Sequence, residues 1–172
     1  MYKHIIGIDP SGNFKEGKGT TGIVRLRGKQ LLEHKAITAK NFNDNVSYWA
    51  GVIQGLKYWC IPNTIVVIED YILYPDKTSA QSYSKLETPR LIGVLEYYLW
   101  SRGIPYVFQN ASLVKKRWTD EILKKQFPQK LNGHERDALR HAIHYATFKN
   151  KDKTKQDKPK EVITFTNYKE DK

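Results

Sequence analysis

The segment that most constrains the fold is Thr64–Asp70, TIVVIED, in which five β-branched residues run without interruption into two carboxylates. β-Branched side chains favour extended backbone, and a strand with no polar alternation is one buried on both faces. A sheet layered between helices provides that environment.

The remaining chain supplies the layers. His4–Asp9 (HIIGID) is a second short apolar run that ends in a carboxylate, and Thr20–Arg27 (TTGIVRLR) alternates from Gly22 onward. Gln30–Ile37 follows directly after Arg27-Gly28-Lys29, so the first three segments predict an antiparallel meander. Asn43 or Asp44 is placed to cap a helix reaching about Cys60, with Val46, Trp49, Ala50, Ile53 and Leu56 recurring at three- and four-residue steps. A second helix is expected from Thr78 or Ser79 to Ser101, bent or restarted at Pro89. A short strand over Ile104–Phe108 and a basic helical stretch over Ala111–Phe127 come next. The final helix, His134–Phe148, turns Ala138, Leu139, Ala142, Ile143 and Ala146 inward. This order predicts an α/β fold with a mixed five-stranded sheet, a three-stranded antiparallel meander plus parallel strands, flanked by helices. Residues 1–148 read as one domain, and the lysine-rich, aperiodic 149–172 as a flexible tail.

Charge points toward a partner. Twenty-nine Lys+Arg against 18 Asp+Glu give the 172 residues a formal net charge of +11. The eight lysines and five acids of 149–172 account for +3, which leaves +8 on the body. That is the electrostatic footprint of a protein that meets phosphate backbones, although a solvated basic surface has the same arithmetic. No apolar run approaches the roughly 18 to 20 residues of a membrane span. MYKHIIGIDP lacks the pattern of a signal peptide, and the single Cys60 allows no internal disulfide. A cytoplasmic location is expected.

Chemistry enters with the acids. Asp9 closes the first strand and Glu69 the central one, while His134 and Asp137 lie three apart on one face of the last helix. Converging carboxylates repel one another unless cations hold them, so the set predicts a hard divalent metal, magnesium or manganese. Two such ions would suit in-line attack on a phosphodiester. Asp70 competes with Glu69, because neighbouring strand residues face opposite ways. Glu135 is rotated off the His134/Asp137 face and is expected toward solvent or behind the ligands, whereas His141 and His144 continue the stripe and could orient a carboxylate. Gly12–Thr20 nearly matches a phosphate loop, but Gly19 stands where Ser or Thr is required and a strand follows, so no nucleotide cofactor is expected. Candidates for contact with a nucleic-acid backbone or bases are Lys15 and Lys18 in the first loop, Tyr71 and Tyr74 after Glu69, and Ser112, Lys115, Lys116 and Arg117 on the basic stretch; a solvated loop, core tyrosines and a solvated basic face are the alternatives.

In this order, GIDPSG…GTTGIV (7–24), VVIEDY (66–71), TSAQSYSKLETPRLIGVLEYYLWSRGIPY (78–106), ASLVKKRW (111–118) and HERDALRHAIHY (134–145) resemble the RuvC-type Holliday-junction resolvases. These belong to the ribonuclease H-like superfamily, and the resemblance spans most of residues 4–148. It implies a homodimer that resolves four-way DNA junctions by paired symmetrical nicks, with two magnesium or manganese ions per subunit. It further implies Asp9, Glu69 and Asp137 as metal ligands, with Glu69 rather than Asp70 on the central strand, and His134 as a further ligand or a group positioning water and phosphate. In the family the long second helix contributes to the dimer, which makes Leu91, Val94, Leu95 and Tyr98 interface candidates. Ser11 replaces a glycine frequent in relatives and Asn13–Gly19 lengthens the first loop, so the chain looks like a small, divergent phage-type member, which would act in a bacterial host's cytoplasm. Two other readings stay open: a nuclease of this superfamily acting on other branched DNA or hybrids, and a non-catalytic DNA-binding protein of the same fold.

Overall fold

The computed structural model describes residues 1–14, 18–71 and 86–150. Five strands form one sheet, β1 (His4–Asp9), β2 (Thr20–Arg27), β3 (Gln30–Thr38), β4 (Thr64–Glu69) and β5 (Tyr106–Gln109), in the order β3-β2-β1-β4-β5. The meander β1-β2-β3 is antiparallel, and β4 and β5 extend it in parallel from β1. The mixed sheet expected from the segment order is thus observed. Thr20 opens a strand, so Lys18 is not followed by the helix that a phosphate loop needs.

Among the described residues, five α-helices flank the sheet: α1 (Asn45–Lys57), α2 (Glu87–Ser101), α3 (Ala111–Arg117), α4 (Asp120–Gln126) and α5 (Gly133–Phe148). Asp44 caps α1 through a reciprocal pair with Ser47. The buried face of α1 is Tyr48, Trp49, Val52 and Leu56, one step round from the expected face, and Val46 is exposed. Within α2, Pro89 falls in the first turn, where its missing N–H costs no helical bond. The expected start of that helix near Thr78 lies outside the described residues. The basic stretch is two helices rather than one, because Thr119 accepts from the Ile122 N–H and starts α4 afresh after Trp118.

The two faces of the sheet follow strand alternation. Ile6, Ile8, Ile23, Val66 and Ile68 point toward α1 and α2, and they bury with Trp49, Val52, Leu56, Leu91, Leu95 and Leu99. Ile5, Val24, Leu26, Ile65 and Val67 point the other way, against Ala138, Leu139, Ala142 and Ile143 of α5. Leu91 and Leu95 are fully buried in the chain's own core, which removes them as interface candidates, and Val94 and Tyr98 pack against that core.

Two glycines set how closely α5 approaches. A Cβ at Gly7 would lie 2.1 Å from the Ala138 carbonyl oxygen, and one at Gly22 would lie 2.2 Å from that of His134. Both are impossible contacts, so only glycine lets the N-terminal half of α5 rest on β1 and β2. Asn132 fixes the helix start through a capping box with Glu135.

Candidate metal centre and DNA-facing surface

Register assembles the site. Asp9 pairs with Gly22, Ile8 pairs with Ile68, and Glu69 pairs with Gln109. One row at the strand C-terminal ends therefore runs Gly22, Asp9, Glu69, Gln109. Odd-numbered residues of β1 and β4 face α5, so Asp9 and Glu69 point at that helix, while Asp70, the alternative, is exposed past the strand end. Gly22 leaves space above its end of the row, and His134, Asp137 and His141 descend on it from one stripe of α5.

The carboxylates of Asp9, Glu69 and Asp137 each place one oxygen within 4.8 Å of the others. Each has a protein partner. His134 Nδ1 donates to Asp9 Oδ2 at 2.8 Å. His141, fully buried, donates from Nε2 to Glu69 Oε2 at 3.0 Å, and its Nδ1 faces Gln109 Oε1 at 3.2 Å. Asp137 meets two cations: Lys115 Nζ at Oδ2, 3.1 Å away, and the Arg140 guanidinium at Oδ1. His134 is bound to Asp9 and does not belong to the three-carboxylate cluster.

Electrostatics follow this geometry. Burial raises the Asp9 carboxyl above its usual range; the His134 hydrogen bond opposes this, and the charges of Glu69 and Asp137 add to it. The bond to Asp9 raises His134 despite the lowering effect of its partial burial. On Glu69 burial acts upward, but the hydrogen bond and charge of His141, with Lys115 and His134, outweigh it and hold the carboxyl low. Burial likewise works to lower Lys115, and Asp137, Glu69 and Asp9 together overcome it, so the ammonium is held charged. A cluster of hard oxygen donors in which crowding disfavours one ionised carboxyl fits a divalent cation of the magnesium or manganese type.

The other sequence candidates fall around this centre. Lys115 reaches into the acidic cluster, while Lys116 and Arg117 are exposed beyond it, Arg117 with its guanidinium 4.1 Å from the Phe148 ring centroid. Ser112 is exposed, and its N–H and hydroxyl both bond Asn110 Oδ1 at the start of α3. Lys18 is exposed in the loop before β2, and Tyr71 is half-buried just beyond Glu69. Lys15 and Tyr74 lie outside the described residues. Glu135 turns inward instead of to solvent: it is buried, closes the cap on Asn132 and accepts from His34 Nδ1 at 2.9 Å. His144 is also buried, against Phe148, and does not bond a carboxylate of the cluster. Sequence reasoning missed Gln109 and Arg140. Gln109 shares the strand-end row, and Arg140 stands one helical turn after Asp137, a spacing at which side chains meet.

The chain has an α/β fold of the ribonuclease H-like type, with acids at the C-terminal ends of neighbouring strands and on the helix packed over them. Among solved structures the chain is similar to T. thermophilus RuvC in complex with Holliday junction substrate, with a TM-score of 0.63 over 84% of this chain and 93% of that one. Identity is 16%, so the likeness is one of fold, and the fold is RuvC-like. No protein-family model and no curated protein sequence matches the chain.

Proposed function

We propose that the protein is a metal-dependent endonuclease that cuts four-way DNA junctions by paired symmetrical nicks, acting as a homodimer with one site per subunit. The observation that carries this reading is the convergence of Asp9, Glu69 and Asp137 within 4.8 Å, beside the charged Lys115, in a RuvC-like fold. A pure phosphate binder gains nothing from clustered negative charge. The structural neighbour was solved with Holliday junction substrate, which supports branched DNA as the ligand class.

Asp9, Glu69 and Asp137 would hold the ions, which when bound supply positive charge to the scissile phosphate and acidify water. His134 keeps Asp9 oriented and, being held toward its charged form, presents a cation at the half-exposed rim. His141 orients Glu69 from within the core. Lys115, half-exposed beside Asp137, would be within the site's reach as a cation for a DNA phosphate. Lys116, Arg117 and Lys18 extend that phosphate-facing surface, with Tyr71 beside the site to stack on bases.

The test is a synthetic mobile four-way junction incubated with magnesium, with products mapped on all four strands and matched fork, hybrid and duplex substrates alongside. Paired cuts at opposed positions are expected. Preferential cutting of fork or hybrid would move the reading to another branched or hybrid substrate, and the absence of any magnesium-dependent nicking would remove it.

A further inference from the structure

Arg140 is a buried cation, 8% exposed, placed where charge alone makes it a liability. A guanidinium against Asp137 repels any divalent ion that the same carboxylate would bind. Its benefit must therefore be geometric. The side chain is anchored three ways: Nε donates to the Trp118 carbonyl at 2.8 Å, one terminal nitrogen bonds Asp137 Oδ1, and the other bonds Asp120 Oδ1. Trp118 is the C-cap of α3 and Asp120 the first residue of α4, so a single planar fork ties the Asp137 carboxylate to the joint between those helices. Lys115, Lys116 and Arg117 form the last turn of α3, directly before that joint.

We propose that Arg140 is a positioning residue: it locks the rotamer of Asp137 for metal binding and fixes the basic end of α3 relative to the metal centre. The two cations on Asp137 differ accordingly. Lys115 is a half-exposed point charge that can depart, whereas Arg140 is held on three partners and stays. Groups that orient a metal ligand from behind typically change affinity by about 10- to 100-fold when removed. The proposal rests on the three carboxylates binding metal, but not on the identity of the DNA substrate.

Sign makes the test decisive. If Arg140 acted only as a charge, removing it would tighten binding of a divalent ion; if it positions Asp137, removing it loosens binding. Manganese affinity is measured by calorimetry on the full chain for the parent, Arg140→Ala, Arg140→Lys and Asp120→Asn, with circular dichroism as the check on folding. Arg140→Ala is expected to weaken Mn2+ by about 10- to 100-fold. Arg140→Lys, which keeps the charge but not the fork, should recover only part of the loss, and Asp120→Asn, which frees the far arm, should show a smaller one. Unchanged or tighter Mn2+ binding in folded Arg140→Ala overturns the proposal. Should that variant not fold, unchanged or tighter binding in both Arg140→Lys and Asp120→Asn overturns it. A parent that binds no Mn2+ ends both this proposal and the nuclease reading; one that binds Mn2+ but cuts no junction ends only the latter.

Discussion

The two faces of the sheet solve different problems. Toward α1 and α2 the interface is aliphatic and aromatic, with the Thr21 and Tyr48 hydroxyls bonded to each other at 2.9 Å. Toward α5 it begins in the same way and ends differently: the helix buries Glu135, Arg140, His141 and His144 among its alanines and leucine. An apolar face needs only shape and volume, and many residue choices satisfy it. A face that buries polar groups does better when each has a partner, as Glu135, Arg140 and His141 do, because an unmatched one costs more than a missing methylene. The contrast separates the face that supplies stability from the face that carries the candidate site.

The contrast breaks most sharply at the carboxylates. Asp9→Asn or Glu69→Gln is expected to abolish junction cleavage while leaving junction binding largely intact, read by gel shift and strand mapping on one substrate. Full cleavage in either variant would remove the metal centre as the seat of activity. On the other face, Leu95→Ala should cost about 2 to 5 kcal/mol of stability in denaturant titration. Its folded fraction should bind Mn2+ as the parent does, since Leu95 packs in the apolar layer on the face away from the carboxylates. A coupled loss of metal affinity would show that the faces are not independent.

Gly7→Ala tests the seam between them. The added methyl group must displace α5 from the Ala138 carbonyl, an overpacking that costs about 1 to 3 kcal/mol. It should also weaken Mn2+ binding, because Asp137 moves with the helix; retained affinity would show that the site does not depend on this approach.

The smallest effect is one of pH. Burial and neighbouring carboxylates raise Asp9 in the folded chain, so its contribution is fully present below the unfolded value and is lost as pH rises through the folded one. In metal-free, mildly alkaline buffer, Asp9→Asn is therefore expected to melt above the parent. The gain should shrink as pH falls, first because His134, held toward its charged form, pairs with the Asp9 carboxylate, and at lower pH because Asp9 takes up its own proton. A melting difference that does not vary with pH would contradict this account of the Asp9 environment.

The strands and their terminal acids were legible because one-dimensional patterns carry them. TIVVI is suited to a strand buried on both faces, and the carboxylates that follow it mark that strand's end. The break between α3 and α4 was also written, as Thr119-Asp120-Glu121, a cap followed by acids in a first turn, but the basic residues on either side obscured it. The face of α1 was misread by one step because Val46 is apolar and exposed while Tyr48 is buried with its hydroxyl bonded to the Ser11 carbonyl. Gln109 and Arg140 required the third dimension. A glutamine at the end of a short strand has no meaning until β4 and β5 are in register, and an arginine between Leu139 and His141 reads as a solvated charge until α4 is folded against it.

The glycine pair under α5 has one more consequence. Where most helices ride on side chains that rotate and yield, this one rests on bare backbone at Gly7 and Gly22, peptide against peptide. That is a mechanical stop. The height of Asp137 above the strand-end row is fixed by main-chain geometry, so the spacing of the three carboxylates cannot be tuned by repacking the core beneath them, and selection acting on that core is free to vary it without detuning the site.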